Sequence, residues 1–265
     1  MGKAFEVISG KVTNPSTTFT SWAMATGDSN AVRNFNPGTN AYLENLWYQN
    51  ATAGILDVRS PRMHDNVWNI RVGSQAAKPS GLMPEEMQQI LYPQDQLIIQ
   101  STGEASGVDC GSLLVYYDDL PGANGRFYSW ESIFPNIKNY LSVETQHTTG
   151  GTAGDYGGSL AINANFDLLK ANEDYAILGY LVSAAVATVG WRGPDFGNLR
   201  VGGPGSLDQF QTRRWFISMA RADGRAWIPV FNAANKGSTF VDILATQTSA
   251  AVVVQTLLAE LGRIA

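Results

Sequence analysis

Short runs dominated by Val, Ile, Phe, Tyr, Trp and Thr, many of them alternating apolar with polar positions, recur along nearly the whole chain. They include "AFEVISGKVT", "TTFTSWAM", "VWNIRVG", "DQLIIQST", "GSLLVYYDDL", "YLSVETQ", "GSLAINANF", "RRWFISMA", "AWIPVFNA" and "TFVDILA". Turn-forming stretches such as "TNPSTT", "DLPGANG", "TTGGTAGDYGG" and "NAANKGS" separate them, so the pattern predicts many short strands in a sandwich or barrel. The uncharged stretch 175–191 carries two glycines and several β-branched residues and reads as two consecutive buried strands, not a spanning helix. Helical spacing is confined to 82–91, where Met83, Met87 and Leu91 share a face, and to a short helix within 128–141 broken near Pro135. The C-terminal "AAVVVQTLLAEL" favours a strand because of its Val triplet.

One string occurs twice. "RSPRMHDNVWNIRVG" starts at Arg59 and "RGPDFGNLRVG" at Arg192, and counting back 19 residues from Pro61 and Pro194 reaches Tyr42 and Tyr175 without a gap. This register sets Trp47 against Tyr180. Beyond the string, "DQLIIQST" corresponds to "RRWFISMA" and "SLLVYYDDL" to "AWIPVFNA". Duplication of one structural unit follows, with units over 1–120 and 143–265 and a linker holding a short helix over 121–142.

Composition narrows the function. Charged residues are 15% and hydrophobic residues 44%, with 27 glycines, which suits a surface extensively covered by copies of the chain itself. A formal charge of -5 with 18 basic residues disfavours direct nucleic-acid binding. "MGKAFEVISGK" lacks the apolar run of a secretory signal, which makes synthesis in the cytoplasm the expectation.

Candidate chemistry is sparse. His64 and Asp65 sit in the loop of the first copy, but the second copy has Asp195 and Phe196, and the other histidine is His147. Two isolated histidines supply no metal-ligand spacing, so neither a metal nor a cofactor is expected. Cys110, the single cysteine, directly precedes "SLLVYY" and reads as a small buried apolar residue. Asp118 and Asp119 point to opposite faces if on a strand, and Glu85-Glu86 carries no further signal. The glycine-rich runs do not open helices and serve as turns. Arg71 and Arg200 are different: inside strand-like strings each needs an acidic or carbonyl partner unless it faces solvent. With Arg59, Asn69, Arg192 and Asn198 they form the candidate interface set.

Paired β units, a helical insertion, low charge and no catalytic constellation resemble the double jelly-roll major capsid proteins of tailless icosahedral bacterial viruses. The closest likeness lies in "RRWFISMARADGRAWIPVFNAANKGSTFVDILA", read as a long strand, a tight Asp-Gly turn, an Ile-Pro-Val strand and an Asn-rich loop. The resemblance implies an all-β chain of two consecutive jelly-roll β-sandwiches with short helical insertions and no enzymatic activity. It also implies homotrimers that act as pseudo-hexameric tiles of a virion shell, other capsid proteins at the vertices, and a lipid vesicle beneath. The alternatives are a non-enzymatic β-sandwich binding carbohydrate or a cell-surface ligand through some of its seven tryptophans, and a cupin-like oxygenase, which two histidines support poorly.

Overall fold

The alternating runs of the first half form β1 (Ala4–Thr13), β2 (Thr20–Ser21), β3 (Ala23–Met24), β4 (Ala41–Gln49), β5 (Gly54–Arg59), β6 (Ile70–Ser74), β7 (Ser80–Leu82), β8 (Gln89–Leu91), β9 (Ile98–Ser101) and β10 (Val108–Tyr117). The second half supplies β11 (Phe127–Tyr128), α1 (Trp130–Ile133), β12 (Asn139–Thr148), β13 (Tyr156–Ala161), β14 (Asp174–Val182), β15 (Thr188–Arg192) and β16 (Arg200–Pro204). It continues with α2 (Gln209–Thr212), α3 (Trp215–Asp223), β17 (Ile228–Asn232), β18 (Phe240–Leu244) and β19 (Ala251–Gly262). The computed structural model describes residues 2–14, 16–49, 54–62, 70–74, 80–82, 88–103, 107–184, 186–205 and 209–262, so His64, Asp65, Trp68 and Asn69 lie outside the described residues.

Both halves are wired alike. The first strand pairs antiparallel with the last, β1 with β10 and β12 with β19, and the last strand pairs with β4 or β14. The other sheets run β2-β9-β5-β6 and β13-β18-β15-β16. This is the strand order of a jelly roll, so the chain is all-β and carries two of them in succession.

The sheets stack one on another. Ala4, Ile8 and Val12 of β1 join Leu56, Val58 and Ile99 in the first core. Phe5, Val7, Trp47, Leu114 and Tyr116 point the other way, into a cluster shared with the second sandwich. The β1 strand is therefore buried on both faces along most of its length, which is why "AFEVISG" lacks the clean alternation of a half-exposed strand.

Four expectations change. "RRWFISMA" is no strand: Trp215, Phe216, Met219 and Ala220 fall on the buried side of α3. Its Asp-Gly step is a helix end, with Gly224 at φ 71° and its N–H bonded to Ala220 O. The helix expected over 82–91 meets strand at both ends, β7 closing at Leu82 and β8 spanning Gln89–Leu91, while 83–87 lie outside the described residues. The outward extension of the repeat also changes. By sheet order the counterpart of β9 is β18 and that of β10 is β19, whereas "AWIPVFNA" forms β17 beside β14.

The ungapped register survives on β5 and β15 but not on β4 and β14. Leu56 and Val58 lie in the first core as Val189 and Trp191 do in the second. Trp47, however, points out of its own sandwich to Trp215, while Tyr180 points inward to Trp191. A one-residue difference between the strands swaps every face. On β6 and β16 the echoed strings sit two residues apart in register, Arg71 pairing with Asp57 and Arg200 with Arg192.

Candidate functional site

The candidate residues converge on the seam between the sandwiches. On the first-unit side, paired strands line up Phe5-Tyr116-Tyr42 and Ser9-Ser112-Trp47 as rows across β1, β10 and β4. Across from them lie β13, β15, β16 and β18 of the second unit, with Thr188, Gly190 and Arg192 alternating outward from buried Val189 and Trp191.

One end of the seam is aromatic. Phe5 lies 5.0 Å from Trp227 between ring centres, and Tyr116 lies 4.7 Å from the same indole. The α3 helix brings Phe216 within 6.0 Å of Phe5 and Trp215 within 6.1 Å of Trp47. Gly203 permits this seating, because a Cβ there would stand 2.5 Å from both Trp215 Nε1 and Tyr180 Oη.

The middle is a chain of hydroxyls. Ser9 Oγ meets both Ser112 Oγ and Tyr156 Oη at 2.6 Å, Ser112 Oγ meets Thr188 Oγ1 at 2.6 Å, and Trp47 Nε1 donates to Thr188 Oγ1 at 2.9 Å. Each buried polar atom here is satisfied by another across the seam, which fixes the register of the two units.

The arginines form the rest. Arg200 Nη1 donates to Asp28 Oδ1 at 2.6 Å, and its Nε donates to Asp242 Oδ2 at 3.0 Å. Its guanidinium carbon sits 3.5 Å over the Tyr156 ring. Asp28 belongs to the first unit and Asp242 to the second, so one guanidinium bridges them. Arg192 Nε reaches Asp242 Oδ2 at 3.3 Å, and Ser159 Oγ donates to Asp242 Oδ1 at 2.5 Å. Burial pushes the Asp28 carboxyl up to about 6, with Arg200 opposing the rise. Burial opposes the charge on Arg200, but Tyr156, Asp28 and Asp242 together hold its pKa above the ordinary range. A second clamp joins Arg225 to Glu44 of β4 and to Gln88, with the guanidinium 4.4 Å over the Tyr42 ring. Burial raises Glu44 to about 7 against the pull of Arg225.

A cleft of about 350 Å³ opens beside the first clamp, lined by Asp28, Arg33, Tyr156, Arg192, Asn198 and Arg200. Its charges are largely met within the protein: Arg33 Nε donates to both Glu6 oxygens at 2.8 Å. Asn198 holds a left-handed turn at φ 58° and donates its N–H to Gly193 O at 2.9 Å. The structure thus brings Arg192, Asn198 and Arg200 together, whereas Arg59 ends β5 opposite Ile98, Arg71 lies on β6, and Asn69 is outside the described residues.

The residues weighed for chemistry are placed elsewhere. Cys110 is buried against Ala25, Ala187 and Leu244, and burial raises its thiol pKa. His147 is buried, with Nδ1 2.7 Å from Gly158 O and Nε2 2.8 Å from Thr145 Oγ1, and burial lowers its pKa. A neutral ring donating from Nδ1 and accepting from Thr145 satisfies both bonds. Among the described residues no three His, Cys, Asp or Glu side chains gather in a metal-holding group. No described helix is long and apolar enough to cross a membrane.

Sequence reasoning missed Asp28, Asp242, Tyr156 and the Ser9-Ser112-Thr188 chain. No local motif carries them, because the strands that hold them meet only through the tertiary stacking. The helix α3 did have a signal, in the 215, 216, 219, 220 spacing followed by a glycine.

No protein-family model matches the chain, and no curated protein sequence matches it. Similar solved structures include the PBSX exported protein XepA, at 10% identity, 96% of this chain, 86% of that one and a TM-score of 0.27. The major capsid protein P2 from bacteriophage PM2 matches at 9% identity over 98% of each chain with a TM-score of 0.23. The STIV MCP matches at 10% identity over 98% of this chain and 97% of that one, again with a TM-score of 0.23. Likeness this distant transfers no residue role.

Proposed function

We propose that the chain is a major capsid protein that trimerises into pseudo-hexameric capsomers and tiles an icosahedral virus shell. The observation that carries this reading is the stacking of two jelly rolls across one buried seam, the outer face of β1-β10-β4 set against that of β13-β18-β15-β16. Such a contact joins unlike faces, so copies of the chain can continue it into a ring. Three chains of two sandwiches give a near six-fold outline. In this reading the units span 1–120 and 143–265 about a linker at 121–142, the site residues are structural clamps, and the chain is not an enzyme. Its partners are further copies of itself, vertex proteins and an underlying lipid vesicle, and its place is the virion, after synthesis in the host cytoplasm. Sedimentation and native mass measurement of the purified chain test this: trimers that grow into larger particles are expected. A stable monomer at micromolar concentration overturns it.

A further inference from the structure

The chain passes from the first sandwich to the second between β10 and β11, through "DLPGANGRF". Every asparagine of the sequence is followed by a residue with a side chain except Asn124, which precedes Gly125. This step has no regular secondary structure, and Asn124 is exposed. Among the described residues neither the Asn124 carboxamide nor the Gly125 N–H has a hydrogen-bond partner. The backbone is pinned on either side: Ala123 N–H donates to Leu120 O at 3.1 Å, Arg126 N–H donates to Asp195 O at 2.7 Å, and both Arg126 Nη atoms donate to Asp174. A cleft of about 350 Å³ lined by Arg33, Asn34, Leu120, Ala123 and Gly197 opens alongside. Even a Cβ added at Gly197 would stand 3.7 Å from Asn124 N, an ordinary contact, so the step is not tightly enclosed.

We propose that Asn124 is a self-modification site, at which the Gly125 main-chain nitrogen attacks the Asn124 carboxamide and the residue becomes aspartate and isoaspartate. In the first step a bond forms from Gly125 N to Asn124 Cγ, the Cγ–Nδ2 bond breaks, and the nitrogen's proton departs with the amide as ammonia, leaving a five-membered succinimide. Solvent water then opens the ring: addition at the Asn124 main-chain carbonyl carbon gives isoaspartate, and addition at Cγ gives aspartate. Water is the only co-reactant. Glycine makes the attack possible, because no Cβ shields its nitrogen and its backbone reaches conformations closed to other residues. The fold holds that glycine in place for a separate reason. A Cβ at Gly125 would stand 2.1 Å from Phe127 Cε2, and the Phe127 ring packs 4.9 Å from Phe5 at the aromatic end of the seam. The products place a new negative charge, and in isoaspartate an extra main-chain methylene, on the covalent crossing between the two sandwiches. The inference does not depend on the capsid reading.

Ageing the purified full-length chain in mildly alkaline buffer, with mass mapping of the tryptic peptide that ends at Arg126, tests it. Asn124 is expected to convert at least about tenfold faster than any other asparagine, since each of those is followed by a side chain that hinders the attack. The peptide should pass through a species lighter by one ammonia to products one mass unit heavier, part of which accept a methyl group from a protein-isoaspartate methyltransferase. The rate should rise with pH, because the attacking nitrogen has to lose its proton. Asn124→Gln, checked for folding by far-UV circular dichroism, should lose the conversion, since its longer side chain must close a six-membered ring. The wild-type chain held in urea supplies the reference if that variant does not fold. An Asn124 that stays intact in the native chain while converting in urea overturns the proposal, because the fold then shields the step. Other asparagines converting as fast, or aspartate formed with no isoaspartate, overturn it too.

Discussion

Arg200→Ala should cost about 3 kcal/mol of folding stability and should do so in a pH-dependent way. The guanidinium side chain is 10% exposed and touches Asp28, 7% exposed, and Asp242, 0% exposed, so its removal strands two buried carboxylates. Breaking one partner out of a buried pair costs about 3–5 kcal/mol. The lower end applies because Asp242 keeps Arg192 and Ser159, and Asp28 keeps the Ser9 N–H at 2.8 Å and can take a proton. In the wild type the Asp28 pKa rises from the ordinary 3.8 to about 6. The folded state therefore holds this proton in a window where the unfolded state has released it. The resulting stabilisation is complete below pH 3.8, is lost as pH rises through 6, and spans about 3 kcal/mol. Arg200 lowers that pKa, so without it the carboxyl titrates higher still and the deficit of the variant widens between pH 5 and pH 8. Urea unfolding at both pH values reads this directly. A loss below about 1 kcal/mol at both, or an unchanged midpoint accompanied by loss of self-association, would refute the placement of Arg200 as a clamp within the chain.

Trp227→Ala should destabilise by about 3–5 kcal/mol, since the indole packs on Phe5 and Tyr116 across the seam and donates to Asp223 at 3.0 Å. Both halves should then melt earlier in one transition by calorimetry, whereas two separate transitions would show that the halves fold independently. Cys110 should stay unlabelled by an aromatic disulfide reagent in the native protein and react only as the chain unfolds in denaturant, because burial both shields the thiol and raises its pKa. Rapid native labelling at neutral pH would contradict its place in the seam.

Much of the strand layout was legible because turn residues bracket most runs, as with "TFVDIL" and "SLLVYY", and because the Val triplet of β19 resists helix. The short helix at Trp130–Ile133 and the turn over Phe134–Asn136 were equally legible, since Pro135 marks the break. The α3 helix was missed although the 215, 216, 219, 220 spacing before Gly224 was there to read, because Trp215, Phe216 and Ile217 are strand-favouring residues whose helical placement is decided by tertiary packing. Its buried side fills the seam between Trp191, Phe5 and Trp47. Asp28 and Asp242 were invisible for a different reason. Each is an unremarkable aspartate in a short polar context, and only the stacking of the second unit on the first puts Arg200 between them.

The swapped faces of β4 and β14 tie these points together. In an isolated sandwich the outer face of the fourth strand would meet water, and a tryptophan there would be exposed. Trp47 occupies that face because the second unit covers it, so its apolar side chain says that a partner layer exists, not that the residue belongs to its own core. Tyr180, one register step away on β14, turns inward and spends its hydroxyl on Pro204 O at 2.7 Å, leaving the outer face of its sheet to Tyr140, Ser142 and Leu257. The two units thus differ on these strands where they have different neighbours. The first outer face is shaped for a permanent partner in the same chain. The second keeps a groove and a half-exposed tyrosine.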